Sequence, residues 1–206
     1  MKKVRDYVIV DDAERERVLT IAAKLFRSQG YEKTTVRQIA EACKMLPGSL
    51  HYRYKSKDSI LVDMMRLAID QTLRQLKASV AGVSDPMESL RMAVHAYLEI
   101  LVSENDMVYV LLFEWRALEG DALGEMIEER DRFEQYWKKH LSVLKRQGYI
   151  KNGIDVNLIR LIGFGAVNWV ATWYRHGGRY DLKCIADTIW ITLTAGFINP
   201  SLLMEP

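Results

Sequence analysis

Thr34-Thr35-Val36-Arg37-Gln38-Ile39-Ala40-Glu41-Ala42-Cys43, then Lys44-Met45-Leu46, then Pro47-Gly48-Ser49-Leu50-His51-Tyr52-Arg53-Tyr54-Lys55-Ser56-Lys57-Asp58, is the stretch that decides the fold. A threonine opens the first segment and can accept from the free N–H groups at a helix start, which predicts a short helix over 35–43. Proline suits a first helical position because the N–H it lacks has no partner there anyway. A second short helix is therefore expected over 47–52. A tight turn at Lys44-Met45 separates the two. Ile39 and Leu50 are the apolar residues that hold the pair together. Ser49, His51 and Tyr52 stand on or near the exposed face of the second helix.

Outward from this pair the chain reads as helical throughout, because almost no segment sustains a two-residue alternation. Upstream, Val18, Ile21, Ala22, Leu25 and Phe26 recur at three- and four-residue spacing over 12–28, and Gly30 follows as a stop. Downstream, Ser56 caps a helix to about 80 whose apolar stripe includes Ile60, Leu61, Met64, Met65, Ala68, Ile69, Leu73 and Leu76. The clearest boundary is Gly82 to Pro86, where Asp85 and Pro86 form the start of a helix to about 103. Further helices are expected over 105–119 and 121–147. An eighth is capped by Asp155 and ends at Gly177-Gly178, and a ninth is capped by Asp181 and ends near 196. The fold class is all-α, about nine helices. The eighth helix is apolar around most of its circumference, through Ile159, Ile162, Phe164, Ala166, Val167, Trp169, Val170 and Trp173. Such a helix is buried on more than one face, by its own domain and by a second subunit.

Charge is distributed unevenly along the 206 residues. The whole chain has 29 Lys and Arg against 27 Asp and Glu, a net of +2. Residues 1–61 carry 13 basic and 8 acidic residues, a net of +5, so the remainder stands at −3. Between Lys33 and Lys57 six basic residues face a single acid, Glu41. A short basic stretch on a mildly acidic chain suits a phosphate-facing module or, equally, a solvated face. The uncharged run Leu161 to Tyr174 has 14 residues, short of the roughly 20 that a spanning helix needs, so no membrane partner is expected. Only Cys43 and Cys184 are present and no secretory signal follows the basic Lys2, Lys3 and Arg5, so a cytoplasmic location is expected.

Helix, tight turn and seven- or eight-residue helix is the geometry in which the second helix lies in the DNA major groove and the first crosses the backbone. The quoted stretch resembles the DNA-binding domain of the TetR family of bacterial repressors. The resemblance covers about 12–65: Phe26 and Gly30 end the first helix, Thr34-Thr35 leads Ile39-Ala40, Gly48 precedes a hydroxyl residue and Leu50, and an aromatic precedes Lys55-Ser56-Lys57. It implies a DNA-binding domain over 1–56 and a ligand-binding and dimerisation domain over 57–206. The expected DNA contacts are Thr34, Thr35 and Arg37 at the start of the first short helix, Lys44 in the turn, and Gly48, Ser49, His51 and Tyr52 on the second. Lys55 and Lys57 flank the next helix start, where free N–H groups and the helix dipole attract phosphate. This chain departs from the family at Lys44, where glycine is usual, and at Leu46, where a serine or threonine cap is usual. It departs again at Arg53 and Tyr54, where tyrosine and phenylalanine are usual, and at His51, where tyrosine is common.

The family pairs its last two long helices with those of a second copy, which here implies a homodimer through helices 8 and 9. The small Gly163, Gly165 and Ala166 permit close helix approach. Asn168-Trp169 through Trp173-Tyr174-Arg175, then Gly177-Gly178 and Ile185-Ala186-Asp187, resembles TetR-type regulators of fatty-acid, acyl-CoA and steroid catabolism. That implies a repressor of catabolic genes, released from a palindromic double-stranded DNA operator by a small hydrophobic or acyl-CoA effector. Ligand would act by repositioning helix 4 and changing the spacing of the two reading heads. Effector candidates are His95, Tyr109, Trp115, Arg116, Trp137, Asn168, Trp169 and Trp173, polar or aromatic residues interrupting apolar faces. Arg116 either faces solvent or, turned inward, requires an anion. Asn168 makes either an inter-subunit hydrogen bond or a ligand contact. The alternatives are a multidrug-sensing repressor and a helical adaptor that binds protein through helix 8. Catalysis, a cofactor and a metal are not expected: the four histidines (His51, His95, His140, His176) are scattered, and no nucleophile elbow or phosphate loop appears.

Overall fold

Capping side chains set where the helices begin. The computed structural model describes residues 12–199, and the basic Lys2, Lys3 and Arg5 lie outside them. Nine α-helices occur among the described residues: α1 (Asp12–Gln29), α2 (Val36–Ala42), α3 (Pro47–Arg53), α4 (Lys57–Ser79), α5 (Pro86–Val102), α6 (Asp106–Phe113), α7 (Gly120–Arg146), α8 (Val156–Trp173) and α9 (Leu182–Phe197). Thr35 closes a capping box with Gln38: the Gln38 N–H donates to the Thr35 hydroxyl oxygen, and the Thr35 N–H donates to Gln38 Oε1 at 2.8 Å. Ser56 and Ser59 make the same reciprocal pair at the head of α4. Asp85, Asp155 and Asp181 accept from the first turns of α5, α8 and α9. These five starts depend on atoms within three residues of one another, which is why the sequence predicts them.

The helix expected over 105–119 is shorter than its pattern suggests. α6 stops at Phe113 and the chain tightens into a 3₁₀ turn at Trp115–Ala117 before Leu118, which is buried. The tertiary burial of Leu118 outweighs continuation of the helix.

Packing divides the chain into two units. The first runs to Ala68 and takes in Asp106–Met126. Phe26, Leu19, Ile39, Leu50, Ile60, Leu61, Met64 and Met65 form its fully buried centre. Ile39 of α2 and Leu50 of α3 are both in it, which clamps the two short helices against α1 and α4. α6 lies along α1, with the Arg27 guanidinium 2.8 Å from Asp106. Asp63 on α4 accepts two hydrogen bonds from Arg15 of α1, at 3.0 and 2.7 Å, and a third from the Tyr54 hydroxyl at 2.8 Å. Arg53 at the end of α3 pairs with Glu14 of α1 at 2.7 Å, which holds the Glu14 carboxyl below its usual range. The second unit comprises Ile69–Asn105 and the chain from Ile127 onward, with α5 packed on α8 and α9. An isolated antiparallel bridge joins Ile150 to Ile198 behind α9.

Lys44 has φ +55°, in the left-handed region, at the turn position where the family's glycine is usual. The turn needs that conformation because the N–H groups of Lys44 and Met45 return to Glu41 and Ala40. A side chain there costs about 1–2 kcal/mol, partly offset because glycine would loosen the unfolded chain. Lys44→Gly is expected to raise stability by about 0.5–1 kcal/mol. Urea unfolding measures this; an unchanged or lowered midpoint contradicts the strain.

Candidate nucleic-acid interface and effector cavity

The outward side of α3 is the surface that the sequence singles out. With Leu50 buried beneath it, Gly48, Ser49, His51 and Tyr52 are all exposed, and none of their side chains is tied to another helix. Lys55 stands 5.7 Å over the Tyr52 ring, which holds a cation beside this face. Lys44 is exposed in the turn. Arg37 is exposed on α2 and paired with Glu41 at 2.9 Å, an exchangeable surface pair. Thr35 is exposed, with its hydroxyl committed to the capping box.

Two of the expected contacts are corrected. Thr34 is only 1% exposed and its hydroxyl donates to the Gly30 carbonyl at 2.9 Å, so it closes the end of α1 and does not face outward. Lys57 is half-buried: its ammonium donates to the carbonyls of Tyr31 and Glu32, at 2.8 and 3.3 Å, and lies 4.1 Å over the Tyr31 ring. It ties the α1–α2 loop to α4. One residue is gained. Leu46, the uncapped position before Pro47, is 76% exposed at the entrance to α3, although it is not among the expected contacts. The signal is an apolar residue where a helix start calls for a hydroxyl, and such a side chain can meet a thymine methyl group.

In the second unit α5, α7, α8 and α9 line a partly open cavity of about 60 Å³. Leu90, Val94, Leu141, Ile159, Val167, Leu193 and Phe197 supply aliphatic and aromatic wall; Tyr97, Trp137, Phe164 and Trp190 supply large rings. Phe164 stacks on Phe133, and Tyr97 meets Trp137 at 5.5 Å between ring centres. The Tyr97 hydroxyl donates to Asn168 Oδ1 at 3.0 Å, and burial pushes its ionisation well above the usual phenol range. Arg160 is the only charged residue of α8, and it enters the cavity wall paired with Glu134 of α7 at 2.7 Å.

Of the eight effector candidates only Trp137 lines this cavity. Asn168 Oδ1 accepts from the Tyr97 hydroxyl within its own chain. His95 lies 3.2 Å from Asp187, whose carboxyl Lys183 holds below its ordinary range, and this cluster joins α5 to α9. Tyr109 packs on Phe113 under the Arg27 guanidinium and belongs to the first unit, as do Trp115 and Arg116. Arg116 is exposed and stacks on the Trp115 ring, so the inward arginine does not occur. Trp169 and Trp173 point outward. Tyr97, Phe164, Arg160 and Trp190 are the wall residues missing from the expected set. Arg160 carried a usable signal, a single charge in an otherwise uncharged helix.

α8 has two apolar faces. Ile159, Gly163, Phe164 and Val167 turn to the cavity, whereas Leu158, Leu161, Ile162, Trp169 and Trp173 are exposed, and Ile191 of α9 is exposed with them. Exposed large apolar side chains at three- and four-residue spacing mark a surface that another protein covers. Among the described residues no helix is long and apolar enough to cross a membrane.

Comparison with known proteins places these features. The family model described as bacterial regulatory proteins, tetR family, matches residues 18–64, which contain α2 and α3. The model described as tetracyclin repressor-like, C-terminal domain, matches residues 83–197. The chain is 29% identical over 189 residues to the HTH-type transcriptional repressor KstR2 of Rhodococcus jostii (strain RHA1), covering 90% of this chain and 92% of the relative. Among solved structures it is similar to the superantigen PfiT, at 31% identity and a TM-score of 0.78, covering 92% and 99% of the two chains. It also shares the fold of AibR, solved in complex with isovaleryl coenzyme A and operator DNA, at 24% identity and a TM-score of 0.77, covering 88% and 98%.

Proposed function

Because the chain belongs to the TetR family of bacterial regulatory proteins, we propose that it is a cytoplasmic homodimeric repressor of catabolic genes, released from its operator by an acyl-CoA effector. The exposed side of α3 carries this reading. Leu50 anchors the helix, and Ser49, His51 and Tyr52 with Leu46 are left free to meet base edges and methyl groups. Thr35, Arg37, Lys44, Gly48 and Lys55 flank them as backbone contacts. The functional division is 1–56 for DNA and 57–206 for effector binding and dimerisation. A second copy of the chain covers the outer face of α8 and α9, so that two α3 helices read the two halves of a palindrome. The carbon-lined cavity in the second unit suits an acyl group, in keeping with AibR and its coenzyme A thioester. Effector and operator oppose each other reciprocally, since each prefers a different arrangement of the same dimer. The family consists of regulators, and the chain's role follows from binding, with no catalytic residue assigned.

The test is selection of genomic fragments by the purified protein, followed by titration at several salt concentrations. A palindromic site bound with a steep salt slope supports the reading, because phosphate contacts release counterions. A helical adaptor would show neither. His51→Ala and Tyr52→Ala are each expected to weaken operator binding about 5- to 150-fold, the range of one lost base contact, with the dimer intact. Parent-like binding by both variants would remove α3 from the reading role. Release by hydrophobic drugs and not by acyl-CoA would favour a multidrug sensor.

A further inference from the structure

The ends of α2 and α3 are both tied to one turn of α1 by polar side chains. Ile39 and Leu50 are fully buried and hold the two short helices in place, but apolar contact is non-directional and leaves the angle between them loosely set. Directional bonds come from α1. The Arg53 guanidinium, at the end of α3 and at a position where this chain departs from its family, donates from Nη2 to Glu14 Oε2 at 2.7 Å. Such charge-assisted bonds are among the stronger ones. Arg53 Nη1 is shut off from solvent without a hydrogen bond of its own, and the side chain is only 18% exposed, so the head of this cation is turned into the module. Glu14 Oε1 lies 4.0 Å from Arg17, three residues further along α1. Arg17 Nη1 donates at 2.9 Å to the carbonyl of Cys43, the C-cap of α2, one of the acceptors that a helix end leaves without an internal partner. The series Arg53, Glu14, Arg17 and the Cys43 carbonyl therefore runs from the end of α3, across α1, to the end of α2.

Resting on the proposed role of α3, we infer that Glu14 is a positioning residue for operator reading: through Arg53 and Arg17 it fixes the angle between α3 and α2, and it makes no contact with the DNA itself. In the proposed complex α3 lies in the groove while α2 crosses the backbone, so a change in that angle takes base contacts out of register with phosphate contacts. Backbone contacts alone carry no sequence information and survive the change. The sign of the charge separates this role from plain electrostatics. An acid in a DNA-facing module repels phosphate, and its removal strengthens binding wherever charge is its only effect. A positioning acid does the opposite on the operator.

The test compares Glu14→Ala, Glu14→Gln, Arg53→Met and the Glu14→Ala/Arg53→Met double variant of the full chain with the parent. Each is titrated with an operator fragment selected by the parent and with a scrambled duplex of the same length, at several salt concentrations. Glu14→Ala is expected to weaken operator binding about tenfold, the order of one charged hydrogen bond, while binding to the scrambled duplex is unchanged or rises. Glu14→Gln has the same net charge as the alanine variant but keeps an acceptor for Arg53, and is expected to recover part of the loss. Arg53→Met is expected to weaken operator binding with the salt slope unchanged, whereas losing a phosphate contact would flatten the slope by about one unit. The double variant should lose little more than either single one, as two residues acting as a pair do. Urea unfolding checks that each variant is folded, and because the pair is broken from opposite sides one folded variant is enough. Operator binding at or above the parent level by Glu14→Ala overturns the inference, as does an equal loss on both duplexes or a flattened slope in Arg53→Met. A selective parent with a parent-like Glu14→Ala overturns the inference alone. A parent that prefers no sequence overturns the regulator reading and this inference with it.

Discussion

Trp169→Glu is expected to leave the chain monomeric and to lower its operator affinity at least about 100-fold. Trp169 is 65% exposed on the outer α8 row, between Ile162 and Trp173, and Ile191 of α9 is exposed as well. In the proposed dimer this row meets its own copy, so glutamate puts two carboxylates into one apolar interface. Neither has a cation on that row to pair with, and burying an unpaired charge is strongly unfavourable. Two linked reading helices gain about 100- to 10,000-fold over one through effective concentration alone, and a monomer forfeits that factor without any change to α3. Analytical ultracentrifugation reads the mass against the 23.8 kDa of one chain, and operator titration reads the affinity. A Trp169→Glu protein that sediments as the parent and binds DNA as the parent would place the dimer contact elsewhere.

Asp63→Ala is expected to cost the first unit about 2–3 kcal/mol. The Asp63 carboxylate accepts both Arg15 donors and the Tyr54 hydroxyl, which ties α1, α4 and the end of α3 together. Losing one partner of a fully buried ion pair costs about 3–5 kcal/mol. Here the side chains retain 29% and 18% exposure, so solvent screens part of the penalty and the lower figure applies. Burial and Asp63 together push the Tyr54 hydroxyl well above its usual range, so it stays a neutral donor with no acceptor once Asp63 is gone. Against a typical total of about 5–15 kcal/mol, this loss is a large share. Urea unfolding measures it, and Asp63→Asn, which keeps an acceptor oxygen, should fall between parent and alanine. An alanine variant within about 0.5 kcal/mol of the parent would show that the triad contributes little.

The DNA-reading module was legible because its determinants are local. Thr35 and Gln38, Ser56 and Ser59, and the aspartates before α5, α8 and α9 satisfy N–H groups within one turn, so residue type and spacing are sufficient. Ile39 and Leu50 identify the buried sides of α2 and α3, and the remaining positions of α3 face outward by geometry. The same reasoning failed at Thr34 and Lys57. Both are polar residues beside the module, and both are consumed by carbonyls of the α1–α2 loop that lie far along the chain or behind the residue in space.

The amino-acid sequence by itself determined the all-helical class, the capped helix starts, the reading pair and the double-sided apolar character of α8. Only the tertiary structure decided which of those apolar faces encloses the cavity and which lies open. Helical periodicity says that a side chain belongs to an apolar face, but it does not say what stands opposite. The cavity exists where α5, α7, α8 and α9 leave space between them, so its members come from four separated segments. Trp137 was legible as an aromatic on α7 and Arg160 as the lone charge of α8, yet their presence in one wall is a property of packing. Arg116 shows the same limit: periodicity left it open between solvent and the interior, and the turn that buries Leu118 exposes it.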